Sequence, residues 1–272
     1  MSINKKQNNV CVTPAVAAKA AALANAVGEE MLSRLEWVTL QPTLVLDVGS
    51  GVGHCTRLLR ERYPLAKIVS LDVDYPMLKY AEEQAKSAHD DSSYCLCADG
   101  AALPFPDQSV DLVFANLILP WVSDVESMLR EWRRVLRPDG LLVFTSLGPD
   151  TLQAWRIYLG DYTIPNFIDM HEIGDMLTRA RFSDPVMDVE YYTLTYSEPS
   201  TLLSELQASG MLVAHSRLDL IENAEVPRTE KGRLALTYEV VYGHAWGPEA
   251  NVDHVADEFG TVRIPLAHLR RR

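Results

Sequence analysis

Basic residues are scarce in this chain: 25 lysines and arginines stand against 37 aspartates and glutamates, for a net charge of -12. A general nucleic-acid binder neutralises phosphates with clustered cations, so this balance argues against one. No stretch reaches the ~18 uninterrupted apolar residues of a membrane span, and Met1–Val10 is polar rather than the apolar core of a signal peptide. The expectation is a cytoplasmic protein that meets neither nucleic acid nor membrane. Four cysteines, Cys11, Cys55, Cys95 and Cys97, are too few and too irregularly spaced for a disulfide framework. Cys95 and Cys97 stand two apart without the second Cys or His pair of a zinc site, so they read as ordinary thiols and no metal is expected. Two nucleotide signatures are missing as well. Counted from Gly49 and Gly51, the third glycine of Gly-x-Gly-x-x-Gly would fall on His54, and no Gly-Lys-Ser/Thr closes a Walker loop.

What is present is organised around Thr43–Thr56. Leu44, Val45 and Leu46 form the apolar run of a strand buried on both faces, and Asp47-Val48-Gly49-Ser50-Gly51-Val52-Gly53 then turns into a helix. Glycine turns at positive φ and puts no Cβ between the peptide groups and a ligand, so the loop predicts close approach of a bound molecule. The 272 residues, 47% of them apolar, suffice for one large domain or a domain with an appended lobe. Ahead of the loop, Val16, Ala20, Leu23, Val27, Met31 and Leu35 predict one amphipathic helix over Pro14–Leu35 that packs on the main domain and could also edge the site.

Behind the loop, strand and helix patterns alternate. Strands are expected at Lys67–Leu71, Tyr94–Cys97, Asp111–Ala115 and Leu141–Ser146, with helices at Tyr75–Lys86 and, behind a Ser-x-x-Glu box at Ser123–Glu126, up to Leu136. Arg130, Arg133, Arg134 and Arg137 flank that last helix, as a solvated face or a dock for an acidic partner. Pro185–Tyr196 and Leu234–Trp246 read as two further strands, with a helix at Ser200–Ala208 and a mobile connection over residues 211–232. Such alternation predicts a parallel sheet wound with helices on both faces, with its ligand at the carboxyl ends of the strands. Asp72 and Asp99 fall at those ends.

The Asp-x-Gly-x-Gly-x-Gly loop resembles the first motif of class I S-adenosylmethionine-dependent methyltransferases. Val69–Leu78, Ala98–Phe105, Asp111–Trp121 and Arg134–Leu147 look like successive motifs of the Methyltransf_11 type, from about Leu44 to Gly148. More narrowly, Asn116–Trp121, Phe144–Leu152, Asp169–Asp175, Asp184–Asp188 and Leu236–Trp246 resemble the BioC family. That resemblance implies an α/β, Rossmann-like, mostly parallel seven-stranded sheet. It implies S-adenosylmethionine as cofactor and methylation of the free carboxylate of a malonyl thioester, on acyl carrier protein or coenzyme A, at the start of pimeloyl assembly for biotin. The chain then divides into a helical lead-in (1–42), a cofactor-binding core (43–196) and a C-terminal segment that covers the substrate and completes the sheet (197–272). Two regions depart from the family pattern: the lead-in lacks a Phe-x-x-Ala-Ala-x-x-Tyr segment, and the 210–232 linker looks shortened.

For that cofactor, Gly49, Ser50, Gly51 and Gly53 supply the loop, and Asp72 is expected on the ribose diol beside Val73. Met77 packs on the adenine together with Leu103, Asp99 accepts from its exocyclic amine, and the Gly100 and Ala101 backbone lies alongside. Asp47 either braces the loop or faces the ligand's ammonium group, and Asn116 either faces the methionine part or caps a turn. A malonyl carboxylate is ionised at neutral pH and is its own nucleophile, so no catalytic triad is expected. Tyr238, Tyr242 and His244 share one strand face and are candidates for orienting the acceptor, or core. The competing readings are another small or carrier-bound acceptor, and a non-methylating assembly factor or hydroxylase of the same fold.

Overall fold

The computed structural model describes residues 12–87, 94–159, 167–211 and 226–247. Cys11, most of the 211–232 connection and the basic end Arg270–Arg272 lie outside the described residues. Where one N-terminal helix is expected there are two, α1 (Pro14–Lys19) and α2 (Ala22–Arg34). The break falls at Ala20 and Ala21, both near φ -95° and ψ 20°. It leaves α1 without buried residues, while α2 sinks Leu23, Val27, Met31 and Leu32 into the core.

The remaining elements are β1 (Leu44–Val48), α3 (His54–Arg62), β2 (Lys67–Asp72), α4 (Tyr75–Ser87), β3 (Tyr94–Cys97), β4 (Val110–Ala115), α5 (Val125–Val135), β5 (Leu136–Leu147), α6 (Arg156–Leu159), α7 (Met170–Arg179), β6 (Ser183–Tyr196), α8 (Pro199–Ala208) and β7 (Leu234–Trp246). They build the expected seven-stranded sheet, in the order β3-β2-β1-β4-β5-β7-β6. Strands β1 to β5 are parallel, and β7 runs antiparallel to both β5 and β6. The order reverses between β1 and β4, which opens a crevice at their carboxyl ends.

Two predicted boundaries move. Strand β5 starts at Leu136 rather than Leu141, because Val110 pairs with Leu136 and a register shift absorbs Arg137–Gly140 before Leu112 pairs with Leu141. The cap of α5 is Asp124 rather than Ser123: its carboxylate accepts from the Ser127 amide at 2.9 Å and the Ser127 hydroxyl at 2.6 Å. Glu126 pairs instead with Arg130 and Arg179.

The sheet is buried on both faces. On one, Val45, Leu112, Phe114 and Val143 meet α2, α3 and α8; on the other, Leu46, Val48, Val113 and Phe144 meet α5 and α7. Near its end, α2 is fastened across the first face. Arg34 donates to Glu30 (3.0 Å), Asp188 (3.0 Å) and Glu190 (2.6 Å), and its guanidinium lies 3.9 Å from the centre of the Tyr242 ring. Among the described residues no helix is long and apolar enough to cross a membrane, and no group of three or more His, Cys, Asp or Glu is placed to hold a metal ion.

Candidate active site

The crevice holds a cavity of about 440 Å³, within the usual range for small-molecule sites. Its floor is the glycine loop. The amides of Gly49 and Ser50 both donate to the Leu71 carbonyl, at 2.7 and 3.1 Å, and clamp the turn onto β2. Gly49 has φ +74°, and a Cβ there would stand 2.7 Å from Ile118 Cδ1. Gly51, at φ +53°, is different: nothing lies within 4 Å of where its Cβ would be. Glycine therefore serves both packing and backbone conformation at the first position and backbone conformation alone at the second.

Two carboxylates border this floor. Asp47 is 1% exposed; it accepts from the Thr56 hydroxyl at 2.5 Å, and Ser70 donates to Thr56 at 3.2 Å. Burial pushes the Asp47 carboxyl up to about 7, with the Thr56 hydrogen bond opposing and the charge of Asp72 adding to the rise. Asp72, at the end of β2, accepts from the Gly51 amide (2.9 Å) and the Asp74 amide (2.8 Å), so it fixes the loop while bordering the cavity. The Ser50 hydroxyl is buried without a hydrogen-bond partner among the described residues. Two acids and an unpartnered hydroxyl around a half-open cavity suit a cationic, hydroxyl-bearing ligand.

Of the residues expected at the site, Asp47, Gly49, Ser50, Gly51, Asp72, Val73, Met77, Gly100 and Asn116 line the cavity. Gly53 lies behind the loop, where a Cβ would stand 3.0 Å from that of Ala81 on α4. Asp99 is not in the lining: its carboxylate turns back to accept from the Ala101 amide at 2.9 Å, and Ala101 and Leu103 are also outside it. Ala98 and Gly100 form that wall instead, held by the buried Trp132 indole, which donates to the Gly100 carbonyl at 3.1 Å. Asn116 lines the cavity with its polar atoms already engaged. Its amide donates to the Ala24 carbonyl (2.7 Å) and its oxygen accepts from Thr145 (2.8 Å), which ties α2 to β4 and β5.

Tyr238, Tyr242 and His244 do share a strand face, but none of them lines the cavity. Tyr238 and Tyr242 are core, the latter sharing a 2.7 Å hydroxyl contact with Tyr192 beneath Arg34. His244 pairs with Val143 in mid-strand, below the carboxyl edge, because β7 descends antiparallel to β5. Burial lowers its pKa.

The rest of the wall was not singled out from the sequence. Ala17, Ala21, Ala24 and Asn25 come from α1 and α2, Leu117, Ile118 and Trp121 follow β4, and Ala208, Ser209 and Gly210 end α8. His54, also in the lining, is held by Glu29 at 3.1 Å and Arg57 at 3.2 Å. The sequence signal for Trp121 was its place at the end of the Asn116–Trp121 motif; alanines carry none.

A family model described as a methyltransferase domain matches residues 46–144, which is β1 through β5. The fold is similar to that of the YcgJ protein of Bacillus subtilis, with a TM-score of 0.62 and 17% identity over 82% of this chain and 100% of that one. Over nearly the whole chain, the similarity is to the malonyl-[acyl-carrier protein] O-methyltransferase of Halorhodospira halophila, 39% identical over 93% of this chain and 90% of that protein. This chain belongs to that family. Malonyl-[acyl-carrier protein] O-methyltransferase 1 of Coxiella burnetii is 41% identical over 91% of this chain and 88% of its own length. Membership makes this a methyltransferase that depends on S-adenosylmethionine, and the expected fold class and enzyme class both stand. The similarity to those two relatives extends beyond the 46–144 core, over β6, α8 and β7.

Proposed function

We propose that this protein transfers the methyl group of S-adenosylmethionine to the free carboxylate of a malonyl thioester carried on acyl carrier protein, giving the methyl ester that begins pimeloyl assembly for biotin. The observation that carries the reading is the full-length similarity to relatives named for this reaction, joined to a cavity of fitting charge at the β1–β4 crevice.

The residues present suit the cofactor. Asp72 is the acceptor for the ribose diol, Asp47 and the Ser50 hydroxyl take the ammonium end, and Val73 and Met77 pack on the adenine against Ala98 and Gly100. When bound, S-adenosylmethionine supplies an electrophilic methyl on a positively charged sulfur. The chain has the remaining tasks of aligning the acceptor and keeping water out. Leu117, Ile118 and Trp121 give the acceptor side an apolar wall, and Asn25 and Ser209 are its polar groups. They replace Tyr238, Tyr242 and His244 as candidates for orienting the malonyl carboxylate. That carboxylate is ionised at neutral pH and attacks directly, so no side chain need take a proton.

The test is transfer from labelled S-adenosylmethionine to malonyl-acyl carrier protein and, in parallel, to malonyl-coenzyme A, with the succinyl thioesters as controls. Labelled malonyl methyl ester formed faster on the carrier protein is the expected result. Faster reaction on coenzyme A would replace the carrier in this reading. Cofactor binding without any ester product would refute the malonyl acceptor, and loss of both would favour a non-methylating role.

A further inference from the structure

We infer that a basic turn at the tip of the β6–β7 ribbon is where the acidic carrier protein docks; the inference rests on the acceptor reading above and deepens it. Pairing between β5 and β7 ends at Leu147 with Val240, whereas β6 and β7 continue together to Tyr196 and Leu234. Residues Leu234–Glu239 therefore carry the ribbon about 20 Å past the last β5 pair, on the carboxyl side of the sheet where the cavity opens. A tight turn leads into β7 at this tip, bridged by Arg228 and Leu234: the Gly232 amide donates to the Thr229 carbonyl, and the Thr229 amide to the Arg233 carbonyl, both at 2.8 Å.

Within this turn Arg228, Lys231 and Arg233 are exposed. The guanidinium groups are held by neutral acceptors, Arg228 by the Gly232 carbonyl (2.8 Å) and Arg233 by the carbonyl (2.8 Å) and hydroxyl (3.1 Å) of Thr195. Among the described residues none of the three cations forms an ion pair, although Glu230 is a neighbour in sequence. Most of the arginines on and after α5 behave differently. Arg130 pairs with Glu126, Arg134 with Asp107 and Glu131, and Arg137, at the start of β5, with Asp111, while Arg133 donates to the Arg181 carbonyl at 3.2 Å. The patch that sequence spacing offered to an acidic partner is thus largely neutralised from within. In a chain of net charge -12, the turn is a place where positive charge is left for a partner.

Its distance from the cavity is also right. Helix α8 follows β6 at the tip, and the residues at its other end, Ala208, Ser209 and Gly210, line the cavity. Ten residues of helix span about 15 Å. A phosphopantetheine arm has about fourteen bonds from phosphorus to thioester carbon, nearly five residues' worth of backbone, and extends to roughly 16 Å. A carrier protein seated on the turn would lay its arm along α8 and deliver the malonyl group beside Ser209.

The test compares the wild type with Arg228→Glu/Lys231→Glu, leaving the Arg233 contacts to Thr195 in place. The KM for malonyl-acyl carrier protein should rise about tenfold at low salt with kcat held, and the salt dependence seen in the wild type should flatten. Malonyl-pantetheine, which lacks the acidic protein, should be methylated equally by both. Lys231→Glu alone, whose side chain bonds to nothing described, repeats the comparison if the double variant unfolds. Direct titration with the holo carrier protein reads docking without turnover, so a failure of the acceptor reading stays separate from a failure of this one. Equal carrier affinity in wild type and variant overturns the assignment. So does salt-sensitive self-association of the wild type that the variant abolishes, since the turn would then meet a second copy of this chain.

Discussion

Replacing Asp47 by Asn separates what the buried carboxyl does for folding from what it does for binding. In the folded, ligand-free protein this carboxyl has a pKa of about 7 instead of 3.8, so holding it ionised costs about 4 kcal/mol relative to the unfolded chain. Between about pH 4 and 7 the folded state keeps a proton that the unfolded chain has released. Its contribution to stability therefore declines as pH rises, by up to about 1.4 kcal/mol per pH unit, and levels off above 7. Asparagine still accepts from the Thr56 hydroxyl and never ionises. At pH 8 the ligand-free variant should be about 2 to 4 kcal/mol more stable, the lower end allowing for water in the adjoining cavity, and the two proteins should converge below about pH 4. Binding should move the other way. With the cofactor's ammonium group at Asp47, as proposed, the carboxyl would be drawn back to its charged form, so at pH 6 the wild type should release about 0.9 proton on binding and the variant none. Urea unfolding at four pH values reads the first effect, and calorimetry in buffers of unequal ionisation enthalpy reads the second. Parallel stability profiles, together with equal proton release, would refute both the perturbed carboxyl and its role at the ammonium end.

Asp72→Ala should weaken S-adenosylmethionine binding by about 1.5 to 3 kcal/mol in calorimetry with the fold retained, through loss of charge-assisted hydrogen bonds; unchanged affinity would move the ribose elsewhere. Gly49→Ala adds a methyl at φ +74° against Ile118, and should lower stability by about 2 kcal/mol or more in chemical denaturation. Thiol labelling of the native protein should modify the exposed Cys95 and Cys97 within minutes and spare Cys55, whose thiol burial pushes up. Mass spectrometry of the labelled peptides checks this, and early labelling of Cys55 would show that α2 opens readily from α3.

Local grammar made the centre of the molecule readable. An apolar run, an acid and spaced glycines can form few structures, and Asp72 sits one strand further on in the register that a parallel pair imposes. Features decided by long-range pairing were less accessible. The face of Tyr238, Tyr242 and His244 follows from two-residue periodicity, but their height above the carboxyl edge depends on β7 running against β5, which no local pattern specifies. Asp99 shows the opposite difficulty, since a short acid at a strand end can satisfy its own turn, as its bond to the Ala101 amide does, as readily as a ligand. Ala17, Ala21 and Ala24 shape the cavity by being small, and a run of alanines also hides the break between α1 and α2, where neither glycine nor proline marks the stop.

The fastening of α2 has a consequence for anyone recombining this protein with a relative. Arg34, Asp188, Glu190 and Tyr242 all fall outside the 46–144 segment that defines the methyltransferase domain, and come from three separate stretches of chain. A chimera that takes its first helices from one parent and its last strands from another inherits one side of this cluster without the other. Asp188 and Glu190 point from the same face of β6, so without a cation they would repel each other beside an aromatic ring. A single crossover at either boundary of that segment would separate the cation from its acids, whereas exchanging residues 22–37 together with 183–246 would keep them matched.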